Sequence, residues 1–273
     1  MERRDVAVAV ASAASFGVVI GVLFRDELTS RRRRRRGGPD AVCRQRWLTS
    51  APQPGVPRVV LVATGSVAAV KVPELAVALA ASAEVVVVLT AVAERMHRRG
   101  GATEQYAPAA TRAAYARLQT EAGGHRVRVL TDADEWGGYA DVKQDTVVHV
   151  ELRKWADALV VAPASANTLG KAALGLCDNL ATCLLRAWEP ALPLLLAPAM
   201  NTQMWLHPST EAHLEALRAF SRSLAVVPPV EKALACGDIG YGALAAVEDI
   251  VAVTSRSLEG YEERRAQLQP ARD

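Results

Sequence analysis

Two short apolar runs in this chain end in nearly the same words. Residues 158–161 lead into Ala162-Pro163-Ala164-Ser165-Ala166-Asn167, and residues 192–196 lead into Ala197-Pro198-Ala199-Met200-Asn201. An unbroken apolar run of this length, without polar alternation, suits a strand covered on both faces, which is the environment of a parallel sheet. Such sheets bind ligands in the crevice outside the carboxyl ends of their strands. Two matched strand-to-asparagine loops therefore predict one shared pocket.

The rest of the chain repeats the pattern. Residues 58–63, RVVLVA, read as a buried strand, and Thr64-Gly65-Ser66-Val67-Ala68-Ala69 turns it into a helix running to about residue 81. Backbone N–H groups at a helix start, beside a serine hydroxyl, favour an anion. With one glycine in place of GxGxxG, a mononucleotide fits this turn better than a dinucleotide; an ordinary strand-to-helix turn is the equal alternative. Further strands are expected at 84–90, 127–130 and 224–227, and an amphipathic helix at 208–221. Ser165-Ala166-Asn167-Thr168 opens a helix with good capping residues. Strands alternating with helices define an α/β fold with a parallel sheet.

Composition narrows the partners. The chain has 273 residues, 51% of them hydrophobic, enough for a sizeable core. Its net charge of +3 divides unevenly: residues 1–58 carry twelve Arg against five acids, a net of +7, which leaves −4 for the remainder. A mildly acidic folded part argues against nucleic acid as a partner. The four cysteines, at 43, 177, 183 and 236, form no CxxC pair and no zinc spacing, which points to a reducing compartment and no metal. Cys177 and Cys183 read as small core residues.

The domain boundaries follow from the same shift. Residues 1–57 are an extension outside the fold, 58–256 the folded domain, and 257–273 a charged tail that reads as a frayed helix. Within the extension, residues 6–24 are nineteen without a charge, long enough as a helix to span about 28 Å. Membrane anchoring is one reading, and an unstructured or processed extension is the other. The six arginines at 31–36 would keep the folded part in the cytoplasm.

The middle of the chain is less informative. Residues 107–122 suggest a surface helix, His97 and His125 solvated loop positions, and Asp132-Ala133-Asp134-Glu135-Trp136 a solvated acidic loop without calcium-loop spacing. His149, among Val147, Val148 and Val150, is either a buried structural histidine or one presented to a pocket. The segment Ala235-Cys236-Gly237-Asp238-Ile239-Gly240-Tyr241-Gly242 places a thiol among three glycines; a mobile flap with a reactive cysteine and a plain loop are equally compatible with it.

Four motifs in order then carry a resemblance. VVHVELRKWAD around His149, PASANT, PAMNTQMW and ACGDIGYG resemble the phosphopantothenoylcysteine decarboxylases of the plant halotolerance type, members of the homo-oligomeric flavin-containing cysteine decarboxylases, over roughly residues 58–256. The resemblance implies a single flavodoxin-like (Rossmann-like) domain, a doubly wound parallel sheet that assembles as a homotrimer with FMN at subunit contacts. It implies that Gly65, Ser66, Val67, Thr90, Ser165, Ala166, Asn167 and Thr168 hold FMN, with Ala199 beside the ring. Asn201 would hold the substrate carboxylate and Met204 would shape the pocket. His149 would serve as acid/base in the oxidative half and Cys236 as proton donor in the reductive half. The implied reaction converts 4′-phosphopantothenoylcysteine to 4′-phosphopantetheine on the route to coenzyme A. Oxidation of the cysteine side chain toward a thioaldehyde supplies the electron sink that an unactivated carboxylate lacks. One departure stands out: Thr90 is followed by Ala91, Val92 and Ala93, where the family carries hydroxyls for the phosphate. The fold also hosts regulatory inhibitors of protein phosphatases, an alternative function that these changes favour.

Overall fold

The computed structural model describes residues 48, 50–100, 108–120, 126–137, 139, 145–233 and 239–268, with the backbone alone at 98–100, 232, 233 and 239. All belong to one compact unit, Gln45–Asp273. Six strands form its sheet: β1 Arg58–Ala63, β2 Glu84–Leu89, β3 Val127–Thr131, β4 Ala158–Ala164, β5 Leu194–Pro198 and β6 Leu224–Val226. Their order is β3-β2-β1-β4-β5-β6, and every pairing is parallel. The Val- and Leu-rich runs read as doubly covered strands are just that, with β1, β4 and β5 buried at every residue. This is the six-stranded form of the doubly wound fold. Its switch point, where the order reverses, lies between β1 and β4.

Alternate residues of each strand feed two separate cores. On one face, Val59, Leu61, Val85 and Val87 pack against Leu75 and Leu79 of α1 (Val72–Leu79) and against Tyr115 and Ile250. On the other, Val60, Val62, Leu159 and Val161 meet Leu152, Trp155, Leu169, Leu184 and Leu214. The remaining helices are α2 Ala91–Gly100, α3 Ala109–Leu118, α4 Asp132–Trp136, α5 Val148–Trp155, α6 Ala166–Leu174, α7 Leu180–Ala187, α8 Thr202–Leu206, α9 Pro208–Phe220, α10 Val247–Ser257 and α11 Tyr261–Leu268. A 3-10 turn, Val67–Lys71, precedes α1. An antiparallel pair, β7 Val230–Ala233 and β8 Ile239–Ala243, stands apart from the main sheet.

Several expectations change. The surface helix is shorter, and its Tyr115 is buried, with its ring edge-on to His97 at 5.5 Å between centroids. His97 thus sits on α2 rather than in a loop, and His125 lies outside the described residues. The acidic segment 132–136 is helix α4, not a solvated loop. The tail is anchored as far as 268: Arg265 on α11 pairs with the buried Asp157 through two nitrogens, one at 2.8 Å. Asp157 also accepts the Arg58 N–H at 2.7 Å, while the Arg58 guanidinium donates to the carbonyls of Ser50 and Ala51. Sequence periodicity carries no information about pairs 108 residues apart, so a charged helix there reads as loose. Leu48 packs into the second core, so the folded part begins before residue 58. The uncharged stretch 6–24 and the arginines 31–36 lie outside the described residues, among which no helix is long and apolar enough to cross a membrane.

Candidate active site at the carboxyl edge of the sheet

The switch point is held by one hydroxyl. Thr64, fully buried at the end of β1, donates from Oγ1 to the Pro163 carbonyl at 2.8 Å and accepts the Ser165 N–H at 2.8 Å. Its own N–H reaches the same carbonyl at 3.1 Å. The turn after β1 and the turn after β4 are therefore fixed relative to each other by three hydrogen bonds. Ser165 caps α6 by accepting the Thr168 N–H at 3.3 Å, and its hydroxyl also donates to the Thr168 hydroxyl at 3.1 Å. Ser66 caps the 3-10 turn, accepting from Ala68 N–H at 3.4 Å. Both caps leave helix-start N–H groups facing the crevice. Gly65 sits close under Val92: a Cβ there would stand 3.1 Å from that side chain, which would have to shift slightly.

The second matched loop continues the chain of contacts. Ala199 N–H donates to the Ala164 carbonyl at 3.0 Å, which ties the loop after β5 to the loop after β4. Asn201 is the N-cap of α8, its Oδ1 accepting the Gln203 N–H at 2.9 Å. The amide oxygen is turned into the helix, so the nitrogen is the end that donates elsewhere. Over this loop lies the hairpin: Met200 N–H donates to the Gly242 carbonyl at 2.9 Å. Gly242 has φ 151°, and a Cβ on it would come within 2.1 Å of the Met200 carbonyl oxygen, so glycine is what lets the hairpin approach so closely. Met204 is half exposed beside it.

On the far side, α4 and α5 bring a histidine and a glutamate together. His149 Nδ1 lies 2.5 Å from Glu135 Oε1, with side-chain exposures of 21% and 3%. Among the described residues no hydrogen bond engages the opposite ring nitrogen, Nε2. The remaining acids of α4 have other duties. Asp134 accepts from the Thr131 N–H and hydroxyl, both at 2.8 Å. Asp132 accepts the N–H of Ala91 and of Leu180, each at 3.2 Å, and so bridges the starts of α2 and α7. Burial holds Asp132 above the ordinary carboxylate range, against the opposing pull of those two N–H groups.

The expected residues thus fall at four strand ends: Gly65, Ser66 and Val67 after β1, Thr90 after β2, Ser165, Ala166, Asn167 and Thr168 after β4, and Ala199, Asn201 and Met204 after β5. Thr90 is buried, its hydroxyl capping Ala93 N–H at 3.4 Å. Cys236 lies outside the described residues, between β7 and β8. Cys177 is exposed and Cys183 half buried, so neither is the core residue that the sequence suggested. Two participants were not singled out from sequence, Thr64 and Glu135. For Glu135 the available signal was the Thr131-x-x-Asp134 capping box, which marks a helix start where charge alone reads as a loop.

Fold and crevice together define a class, and the sequence profile of the flavoprotein family matches residues 50–259. The chain belongs to the flavoprotein family. Among individual proteins, it is 45% identical over 194 residues to a phosphopantothenoylcysteine decarboxylase of Oryza sativa subsp. japonica, covering 71% of this chain and 77% of that protein. Its counterpart in Arabidopsis thaliana is 45% identical over 192 residues, covering 70% and 80%. In solved structures, a PPC decarboxylase cysteine-to-serine mutant complexed with pantothenoylaminoethenethiol superposes with a TM-score of 0.62 at 42% identity, covering 75% of this chain and 99% of that one. The FMN binding protein AtHal3 gives 0.60 at 42% identity, covering 75% and 97%.

Proposed function

We propose that this chain is an FMN-dependent phosphopantothenoylcysteine decarboxylase, a carboxy-lyase that forms 4′-phosphopantetheine for coenzyme A biosynthesis. The observation that carries the reading is the continuous stitching of the crevice. Thr64 joins the β1 and β4 loops, Ala199 joins the β4 and β5 loops, and Met200 joins the Asn201 loop to Gly242 on β8. This stitching supports a reading in which a cofactor platform and a substrate-facing asparagine serve one pocket. The named relatives in rice and Arabidopsis support the same activity.

The residues present fit FMN. Among the described residues, no acceptor engages the Gly65 or Val67 N–H, so both are available to a phosphate at the start of the turn leading into α1. Val67 and Val92 are each 47% exposed and offer apolar surface near the same edge. At the alanines after Thr90, Ala91 N–H is already answered by Asp132. Phosphate binding therefore falls to the β1 and β4 turns: Gly65, Ser66, Val67, Ser165, Ala166, Asn167 and Thr168, with Ala199 against the ring. When bound, FMN supplies the reversible two-electron oxidation that an unactivated carboxylate needs before it can lose CO2.

The chain's own groups do the rest. The Asn201 amide nitrogen donates to the substrate carboxylate and orients it, and Met204 closes the side of the pocket. His149 takes a proton from substrate at Nε2 during oxidation. The Cys236 thiol returns a proton to carbon after CO2 has left. Assembly as a homotrimer would give exposed Leu174 and Leu206 a surface to pack against. The cysteine spacing, without a CxxC pair, supports a reducing, cytoplasmic setting.

An absorption spectrum and a CO2 assay test the reading together. The purified full chain is expected to carry about one flavin per subunit and to release CO2 from 4′-phosphopantothenoylcysteine. A colourless protein without turnover would remove the enzyme reading and favour the phosphatase-regulator alternative. Light scattering should give three subunits, and a monomer would remove the trimer.

A further inference from the structure

The reaction assigned above uses His149 but gives no task to the group that holds it. Glu135 is a buried carboxylate with a single polar partner: Oε1 meets His149 Nδ1 at 2.5 Å, and Oε2 is buried without a hydrogen bond among the described residues. Burying a carboxylate with one oxygen unanswered is unfavourable. The helix does not need it for capping, because Asp134 completes the Thr131 capping box and Asp132 bridges Ala91 and Leu180. Its other neighbour is the thiol of Cys183 on α7, which feels the Glu135 charge. An unanswered buried polar group with no structural duty calls for a functional account.

We propose that Glu135 is a positioning residue for His149, accepting the Nδ1–H and so leaving Nε2 as the nitrogen that exchanges a proton with substrate. The inference rests on the decarboxylase reading. A carboxylate at Nδ1 fixes the tautomer and the ring plane, and it stabilises the imidazolium formed when Nε2 takes its proton. The proton stays on Nδ1 throughout; Glu135 orients the ring and is not a relay. The two helices serve this purpose in turn. The capping box starts α4 directly after β3, and α5 starts at Val148, so the two side chains meet at the crevice edge.

The test uses the FMN-loaded full chain with 15N-labelled histidine, with His149 assigned by its loss in His149→Asn. Wild type is expected to show a protonated Nδ1 and a bare Nε2. In Glu135→Gln the amide can donate to Nδ1, so the proton should move to Nε2, and kcat should fall by a factor on the order of 10²–10⁴ with KM little changed. A proton found on Nε2 in wild type would overturn the proposal, as would a Glu135→Gln enzyme whose kcat stays within about twofold. If Glu135→Gln does not fold, the wild-type tautomer decides alone. If wild type releases no CO2, the function fails, and the tautomer still reports separately on the pair.

Discussion

The loops after β4 and β5 begin from nearly the same sequence and are built differently. The first is locked. Ser165 is buried, bonded to Thr64 and Thr168, and opens a nine-residue helix whose Thr168 and Leu169 are buried. The second is open. Asn201 is only half buried and caps a five-residue helix with no buried side chain, held from above by the hairpin through Met200 and Gly242. The difference teaches a division of labour. A cofactor that must be held through two half-reactions suits the rigid loop at the switch point. A substrate that must enter and leave suits the loop whose cover is a hairpin.

The sharpest way to break this comparison is to unlock the rigid loop. Thr64→Val removes the hydroxyl and leaves the buried Ser165 N–H without an acceptor, a loss of about 1–3 kcal/mol. Flavin occupancy should fall with it, and thermal unfolding together with the absorption spectrum measures both. If the variant keeps full stability and full flavin, the locked-loop account is wrong. A milder change is Ser165→Ala, which deletes the cap and the hydroxyl contact to Thr168 and should cost about 1 kcal/mol. Its flavin should bind more weakly than in wild type, measured by fluorescence titration.

The smallest effect serves as a control outside both loops. Tyr115 carries a buried hydroxyl without a hydrogen bond among the described residues, and burial raises its pKa. Tyr115→Phe should be neutral or stabilising by up to about 1 kcal/mol, with flavin and CO2 release unchanged. The sign of the pH dependence follows. Above about pH 10 the unfolded tyrosine loses its proton while the folded one keeps it, so wild-type stability falls as pH rises. Denaturant melts across that range should show a shallower fall in Tyr115→Phe.

The parts legible in sequence are those governed by short-range pattern. Unbroken valine and leucine runs named the buried strands, and strand-Pro-Ala-Asn endings named the loops. Ser165 announced a helix start through its capping chemistry and is an N-cap; Asn201, read only as the end of a loop, caps a helix as well. What stayed illegible depends on partners distant in the chain. Glu135 lies in a run of acids that looks solvated, and the packing of α4 beside α5 and α7 buries it. Thr64 looks like an ordinary turn residue until Pro163 and Ser165, about a hundred positions later, supply its acceptor and donor. Arg265 reads as part of a loose tail because Asp157 sits far upstream.

The most direct test separates the two loops in a single protein. Asn201→Ala should retain the yellow flavin spectrum at full occupancy, since the Thr64–Ser165 platform is untouched. Its CO2 release from 4′-phosphopantothenoylcysteine should fall by about 10²–10³-fold, the usual loss on deleting one oriented amide donor at a reacting centre. A colourless Asn201→Ala protein, or one that releases CO2 at the wild-type rate, would contradict the assignment of cofactor to the first loop and substrate to the second.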